Sequence, residues 1–480
     1  MKTEQNGMTT LERFIFAFAD VFGGGGQALL GVLYLVFLTD VVGLNAGLAG
    51  TVIMIAMFWD AINDPLMGHI TDNARTRWGR RKPFLMLGGL LLVPAMSILW
   101  LPIRFESVTG QFAWAVGSYL IYLTISTMIY VPYNSLGTEI SINYVERNRA
   151  NMTRTIFSLM GTVVCTIVPT FVFNLYQKGT ISIWQLWGLI IGCFGLILFA
   201  VPQLLAGMIC QERAPYEDKK EKFTLHNIFR PLKVQAFRKL LGMYLAQSIT
   251  MDVVSAVAIY YATYVITGMS ATVFIGCFLG VQLIMFPLIN SLVNKVSKTR
   301  IYGFGLPLSI VGALGIALYP SGWPVAGLYA CTVLTALGFA GAITMSWVLF
   351  ADVVDIGELS LKERPSGAFS ALMTLMRRAC SAVIIFLVGQ IINITGYIAP
   401  VNNVPVLEQP SVFSSSLRMI VFFTFLLLAG GGWLLARNFH ISPQVSGRVR
   451  YYLEKQQADI LDSLPPEEQR ELDDLLKEFG

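Results

Sequence analysis

The sequence predicts an all-α integral membrane protein of twelve transmembrane helices, and three observations carry that prediction. Of 480 residues, 55% are hydrophobic and only 13% are charged, where a soluble domain carries about 25% charge. Apolar stretches of about 20 residues or more recur along most of the chain, and as helices they can cross a hydrocarbon core of roughly 30 Å. Lipid offers backbone amides no partner, so only helices or a closed barrel span it, and these runs are too long for barrel strands.

The spans fall at 12–39, 46–71, 83–104, 111–138, 153–176 and 182–210, then at 237–266, 270–295, 300–320, 324–355, 367–398 and 410–438. The chain therefore divides into an N-terminal six-helix bundle (1–210), a charged connection (211–236), a C-terminal six-helix bundle (237–438) and a soluble tail (439–480). Thr9 and Glu12 stand at capping-box spacing where the first span begins. Lysine and arginine collect after the even-numbered spans, at Arg80 to Lys82, Arg147 and Arg149, Lys219 to Lys222, Lys295 and Lys298, and Lys362 and Arg364. By the positive-inside rule both termini face the cytoplasm. Glu146-Arg147 after the fourth span and Glu363-Arg364 after the tenth echo each other. With the central connection, they fit two pseudo-symmetric halves related by an axis along the membrane normal, with substrate bound between them.

The formal charge of +5 sits in short runs between spans, a topology signal rather than a nucleic-acid surface. The six cysteines fall inside spans without metal or CxxC spacing, which suits packing. His69, His226 and His440 are scattered, no enzyme signature is present, and no cofactor is expected. Gly23 to Gly26 lack the lysine and hydroxyl of a phosphate loop and read as close helix packing. In the tail, Ser463 before Pro465 and Pro466, then Glu467 and Glu468, marks a helix start. Leu472, Leu475, Leu476 and Phe479 give that helix an apolar stripe, which either packs on the cytoplasmic face or receives a regulatory protein.

An ionised carboxylate at the centre of a membrane helix costs about 2.5 to 3.5 kcal/mol, so each one needs a partner or a purpose. Asp60 and Asp64, four residues apart in the second span, share a helix face with Asn63 beside them. Two hard oxygen donors at that spacing suit sodium, whereas protonation of one serves a proton-coupled cycle. Asp20 in the first span fits a ligand role towards hydroxyl groups. Asp252 in the seventh divides evenly between cavity and structure. Arg154 opens the fifth span, and Arg377 and Arg378 lie in the eleventh. Adjacent residues point about 100° apart, so at most one of that pair faces the centre squarely. Each offers a planar fork that keeps its charge in a low dielectric, and Arg377 has snorkelling to the interface as an equal alternative.

The stretch Asp60-Ala-Ile-Asn-Asp-Pro-Leu-Met-Gly68, continuing through Asp72 to Trp78-Gly-Arg-Arg-Lys-Pro-Phe84, closely resembles the signature of the glycoside-pentoside-hexuronide:cation symporters. That family is a branch of the major facilitator superfamily. Supporting matches are Thr39-Asp40-Val-Val-Gly43, Val131-Pro132-Tyr133, and Ala351-Asp352-Val-Val-Asp355 with Gly357-Glu358. The resemblance covers the twelve spans and not the tail.

It implies alternating access, in which an extracellular glycoside and a cation, sodium or a proton, enter one central cavity and leave inward. Carried over by motif, Asp60, Asp64 and Thr127 form the cation site with Asn63 alongside. Asp20, Arg154 and Arg378 contact the sugar or couple the two sites. Asp352, Asp355 and Arg364 look like the family's cytoplasmic gate. Where galactoside-transporting members have an Asp and a Trp in the fourth span, this chain has Tyr130 and Asn134. With one acid lost and Arg154 and Arg378 kept, the cavity is less negative, which favours a hexuronide or glucuronide and leaves a neutral pentoside open. A lysolipid carrier of the same fold is the competing transporter reading, and a sugar sensor or a membrane enzyme the competing class. The resemblance implies a multi-pass protein of the bacterial cell membrane.

Overall fold

The protein is described here from a computed structural model over residues 7–141, 144–213, 229–266, 269–293, 295–361, 366–400, 405–457 and 465–479. Lys219 to Lys222, Lys362, Glu363, Arg364 and Ser463 lie outside the described residues. Twelve helices are long and apolar enough to cross a membrane. They are α1 (Thr10–Val41), α2 (Ala46–Thr71), α3 (Lys82–Leu99), α4 (Val108–Gly137), α5 (Arg149–Gln177), α6 (Ile183–Ile209), α7 (Gln235–Tyr264), α8 (Ala271–Ile289), α9 (Lys298–Ala317), α10 (Val325–Leu361), α11 (Phe369–Ile394) and α12 (Ser411–Arg437). No strand occurs among the described residues. The second span has the bounds read from hydropathy, whereas α10 runs six residues past the expected Asp355. Its apolar stripe continues there, with Ile356 and Leu359 buried, so the helix keeps a face to bury after the hydropathy falls.

The described residues divide into two compact units. The first lies within Met1–Lys219, Ser255–Gly276 and Ala382–Leu417, and the second within Lys220–Val254, Cys277–Ser381 and Arg418–Gly480. This packing division differs from the chain division of six helices and six. The C-terminal ends of α7 and α11 belong with the first unit, and a buried acid shows why. The Asp40 carboxylate accepts from Thr39 Oγ1 at 2.7 Å, Tyr397 Oη at 2.6 Å and Tyr264 Oη at 3.1 Å. Tyr260 Oη lies 2.6 Å from Thr39 Oγ1. A carboxylate buried this deeply is tolerated when several donors surround it, and here the donors come from α7 and the residues after α11. Thr39 and Asp40 sit in a π-helical turn, Phe37–Val41, that ends α1. Such bulges aim side chains that a regular helix would misplace.

Within the first unit, the basic loop between α2 and α3 is a docked structure as well as a charge signal. Glu212 accepts the backbone N–H groups of Arg80 at 3.0 Å and Arg81 at 2.7 Å. Both guanidinium groups donate to Glu139 Oε1 at 3.1 Å. Gly79 makes the approach possible, because its φ is +106° and a Cβ there would stand 2.7 Å from the Glu212 carboxylate. Glu12 grips Arg213 through two bonds of 2.7 Å, and those bonds push the guanidinium pKa further up.

In the second unit, the tail forms two helices, α13 (Pro443–Gln457) and α14 (Pro466–Phe479). The predicted stripe is real, since Leu472, Leu475 and Phe479 are buried within the chain itself. Tyr452 on α13 donates to the Glu468 carbonyl at 3.2 Å and to Glu471 at 3.1 Å. Burial, with Glu471 adding to it, pushes its phenol up to about 12.

Candidate functional site

Three constellations of polar side chains lie inside spans, two in the first unit and one in the second. The first is built around a fault in α1. At Asp20 the backbone N–H bonds the Ala17 carbonyl at 3.1 Å, so the helix is interrupted and nearby carbonyls need other donors. Tyr133 Oη supplies one to Phe16 at 2.5 Å, and Gln203 Nε2 supplies one to Ala19 at 2.7 Å. The fault holds the Asp20 side chain 3.1 Å from Arg154 Nε on α5. Ser158, one turn beyond Arg154, also bonds that carboxylate. Arg154 Nη2 donates to Asn134 Oδ1, and the guanidinium lies 4.8 Å from the Tyr133 ring centroid.

Gly23 gives this group its room, because a Cβ there would collide with the Asp20 carboxylate and press on the Tyr130 ring. The structure therefore brings together Asp20, Tyr130, Asn134 and Arg154 from the sequence-predicted set. Tyr133 and Ser158 join them, and sequence reasoning had not singled them out for that role. Tyr133 carried a motif match alone. Ser158 was legible only as a hydroxyl one helical turn from an intramembrane arginine.

The second constellation joins α2 and α4. Thr127 Oγ1 lies 3.0 Å from Asp60 Oδ1 and 3.1 Å from Asp64 Oδ1. A hydroxyl carries one proton, so it donates to one carboxylate at a time. Asn63 is buried, and its Nδ2 has no hydrogen-bond partner among the described residues. Prolines follow both ligating segments, Pro65 after Asp64 and Pro132 five residues after Thr127. A proline cannot donate to the carbonyl four residues earlier, so the oxygens of Ala61 and Met128 lack that helical donor. Oxygen ligands thus outnumber hydroxyl protons around Thr127.

The third constellation lies in the second unit. Arg377 Nη2 on α11 donates to Asp252 Oδ1 on α7 at 2.9 Å, and Ser381 Oγ donates to Asp252 Oδ2. Arg377, expected to snorkel as readily as to face inward, is the arginine that engages Asp252. Arg378, the family-matched choice, stands next to it on the turn. Of the expected gate, Asp352 bonds Lys298 Nζ at 2.5 Å. Asp352 and Asp355 line a small cavity with Ile441, Val445 and Val449, and Arg364 lies outside the described residues. No group of three or more His, Cys, Asp or Glu suited to a bound metal occurs among the described residues.

Residues 15–442 match the family described as MFS/sugar transport protein. The chain belongs to that family. The match takes in all twelve spans, and the family is one of transporters rather than enzymes. Among curated relatives, the chain is 27% identical to an uncharacterized symporter, sll1374, of Synechocystis sp., over 91% of this chain and 95% of the relative. It is 24% identical to the glucuronide carrier protein homolog of Escherichia coli, over 80% of this chain and 83% of that one. Among solved structures, it shares its fold with a bacterial homologue of the human lysosomal transporter Spinster, at a TM-score of 0.63 and 14% identity, covering 90% of this chain and 98% of the other. This family member is therefore a multi-pass membrane protein with twelve spans.

Proposed function

We propose that the protein imports a glycoside in symport with a cation, holding the cation at Asp60, Asp64 and Thr127 and the sugar at Asp20, Arg154, Asn134 and Tyr130. The observation that carries this reading is the approach of two carboxylate oxygens to one hydroxyl, at 3.0 and 3.1 Å. With one hydroxyl proton between them, the second contact is completed by a proton on one carboxyl or by a small hard cation among the three oxygens. Asn63 and the proline-freed carbonyls of Ala61 and Met128 supply further oxygens beside them.

Asp20 and Arg154 offer the pairing a sugar uses, an acceptor for its hydroxyl protons and a planar donor fork for its oxygens. The arginine, the absence of a second acid at Tyr130 and Asn134, and the likeness to a glucuronide carrier homologue favour an anionic sugar. The polar lining from four helices argues against a lipid cargo. Both termini facing the cytoplasm of a bacterial cell, and binding energy biasing one of two conformations, complete the reading.

Proteoliposome uptake tests it. Accumulation of a glucuronide against a gradient is expected to need either sodium outside or an inward proton gradient, and whichever ion restores it names the coupling cation. Undiminished accumulation by the Asp60→Asn or Asp64→Asn variant would sink the cation assignment. Stabilisation of the purified protein by lysophospholipid and by no glycoside would sink the substrate assignment.

A further inference from the structure

The Asp252 constellation repeats the Asp20 constellation in a detail that neither packing nor charge balance requires. Arg154 and Ser158 lie four residues apart on α5, and both reach the carboxylate of Asp20 on α1. Arg377 and Ser381 lie four residues apart on α11, and both reach the carboxylate of Asp252 on α7. α7 and α11 come six helices after α1 and α5, so the same helices of each half carry the same three groups. Residues four apart share a helix face, which is why one arginine and one hydroxyl can converge on one acid from a neighbouring helix.

The two copies differ in access. The side chains of Asp20 and Arg154 are 7% and 17% exposed, and those of Asp252 and Arg377 are 19% and 32% exposed. An ion pair kept only for cohesion gains most from burial among satisfied partners. A charged pair this open, near the middle of α7, cannot face hydrocarbon cheaply and belongs on a water-lined surface. There a carboxylate beside a guanidinium and a hydroxyl matches adjacent sugar hydroxyls, each of which donates to the acid and accepts from the arginine.

We infer that Asp252, Arg377 and Ser381 form a second polyol subsite, carried by the second unit, which binds the hydroxyl groups of a glycoside's second sugar ring. The inference rests on the glycoside reading above and extends it: the first copy holds the ring common to all substrates, and the second sets preference among what is attached to it. Arg377, rather than its neighbour Arg378, is the specificity-determining arginine of α11.

The test uses the full-length purified protein and thermal unfolding in graded sugar. The probes are methyl β-glucuronide, methyl α-galactoside and methyl β-xyloside, with a disaccharide containing each of those sugars. For the disaccharide that stabilises best, Arg377→Gln and Asp252→Asn are expected to weaken apparent affinity about tenfold while changing that of the matching methyl glycoside by less than about twofold. Ser381→Ala, which keeps the ion pair, is expected to shift the same preference by a smaller factor, and it serves if the charge variants do not fold. The double reversal Asp252→Arg with Arg377→Asp is expected to restore unliganded stability without restoring the preference. Equal weakening of both sugar classes, or unchanged preference in all variants, overturns the subsite. If no sugar stabilises the wild-type protein, the glycoside reading itself fails and takes the subsite with it. If sugars stabilise it and Asp20→Asn removes the effect while Arg377→Gln keeps the preference, the subsite alone fails.

Discussion

The Thr127 cluster and the Asp252 cluster use the same side-chain chemistry in opposite proportion. Around Thr127, two carboxylates converge on one hydroxyl. Around Asp252, one carboxylate receives a guanidinium and a hydroxyl. A cluster rich in acceptors favours an added positive charge, whereas one whose donors match its acceptors can bind a neutral polar group by exchanging bonds in kind. Spans that look alike in hydropathy thus hold sites of different purpose, and the ratio of donors to acceptors separates them.

The contrast is most easily broken at Asp60 and Asp64. Neutralising either to Asn should remove concentrative uptake while equilibrium exchange of sugar persists, measured as entrance counterflow in proteoliposomes. Retained accumulation would make the two clusters equivalent. Next in size, Arg154→Gln should strand the Asp20 carboxylate and lower stability by about 3 to 5 kcal/mol, read from thermal unfolding. Arg154→Lys should recover little, because Nε serves Asp20 while Nη2 serves Asn134 and an ammonium cannot span both.

Thr127→Val keeps the volume of the side chain and deletes the hydroxyl, so about 1 to 3 kcal/mol of cation affinity should be lost. Thr127→Ser should restore it in a cation titration of uptake rate, and if valine were as good as serine the hydroxyl would have no part in the site. Gly79→Ala strains a backbone at φ +106° beside Glu212 and should destabilise by more than about 1 kcal/mol, visible as a lower unfolding midpoint with sugar preference intact. The smallest effect belongs to the tail. Arg448→Ala breaks an exposed pair with Glu471 and should cost at most about 1 kcal/mol, with uptake unchanged.

By itself the sequence determined the helices and much of the chemistry's inventory. Twelve spans follow from composition and length, since each helix satisfies its own backbone wherever it later packs. The tail stripe of Leu472, Leu475 and Phe479 follows from helical period. The acids and bases of the membrane interior were visible because charge there is costly and rare. What hydropathy does not encode is which charge meets which. Only the tertiary structure paired Arg377 with Asp252, enclosed Asp40 in tyrosines from α7 and beyond α11, and turned the basic run at Arg80 and Arg81 into a loop docked on Glu139 and Glu212. Those outcomes depend on helix rotation, on the fault at Asp20 and on contacts between residues hundreds of positions apart. A one-dimensional pattern of apolar and polar residues specifies the face each helix must bury, and leaves to packing the neighbour against which it is buried.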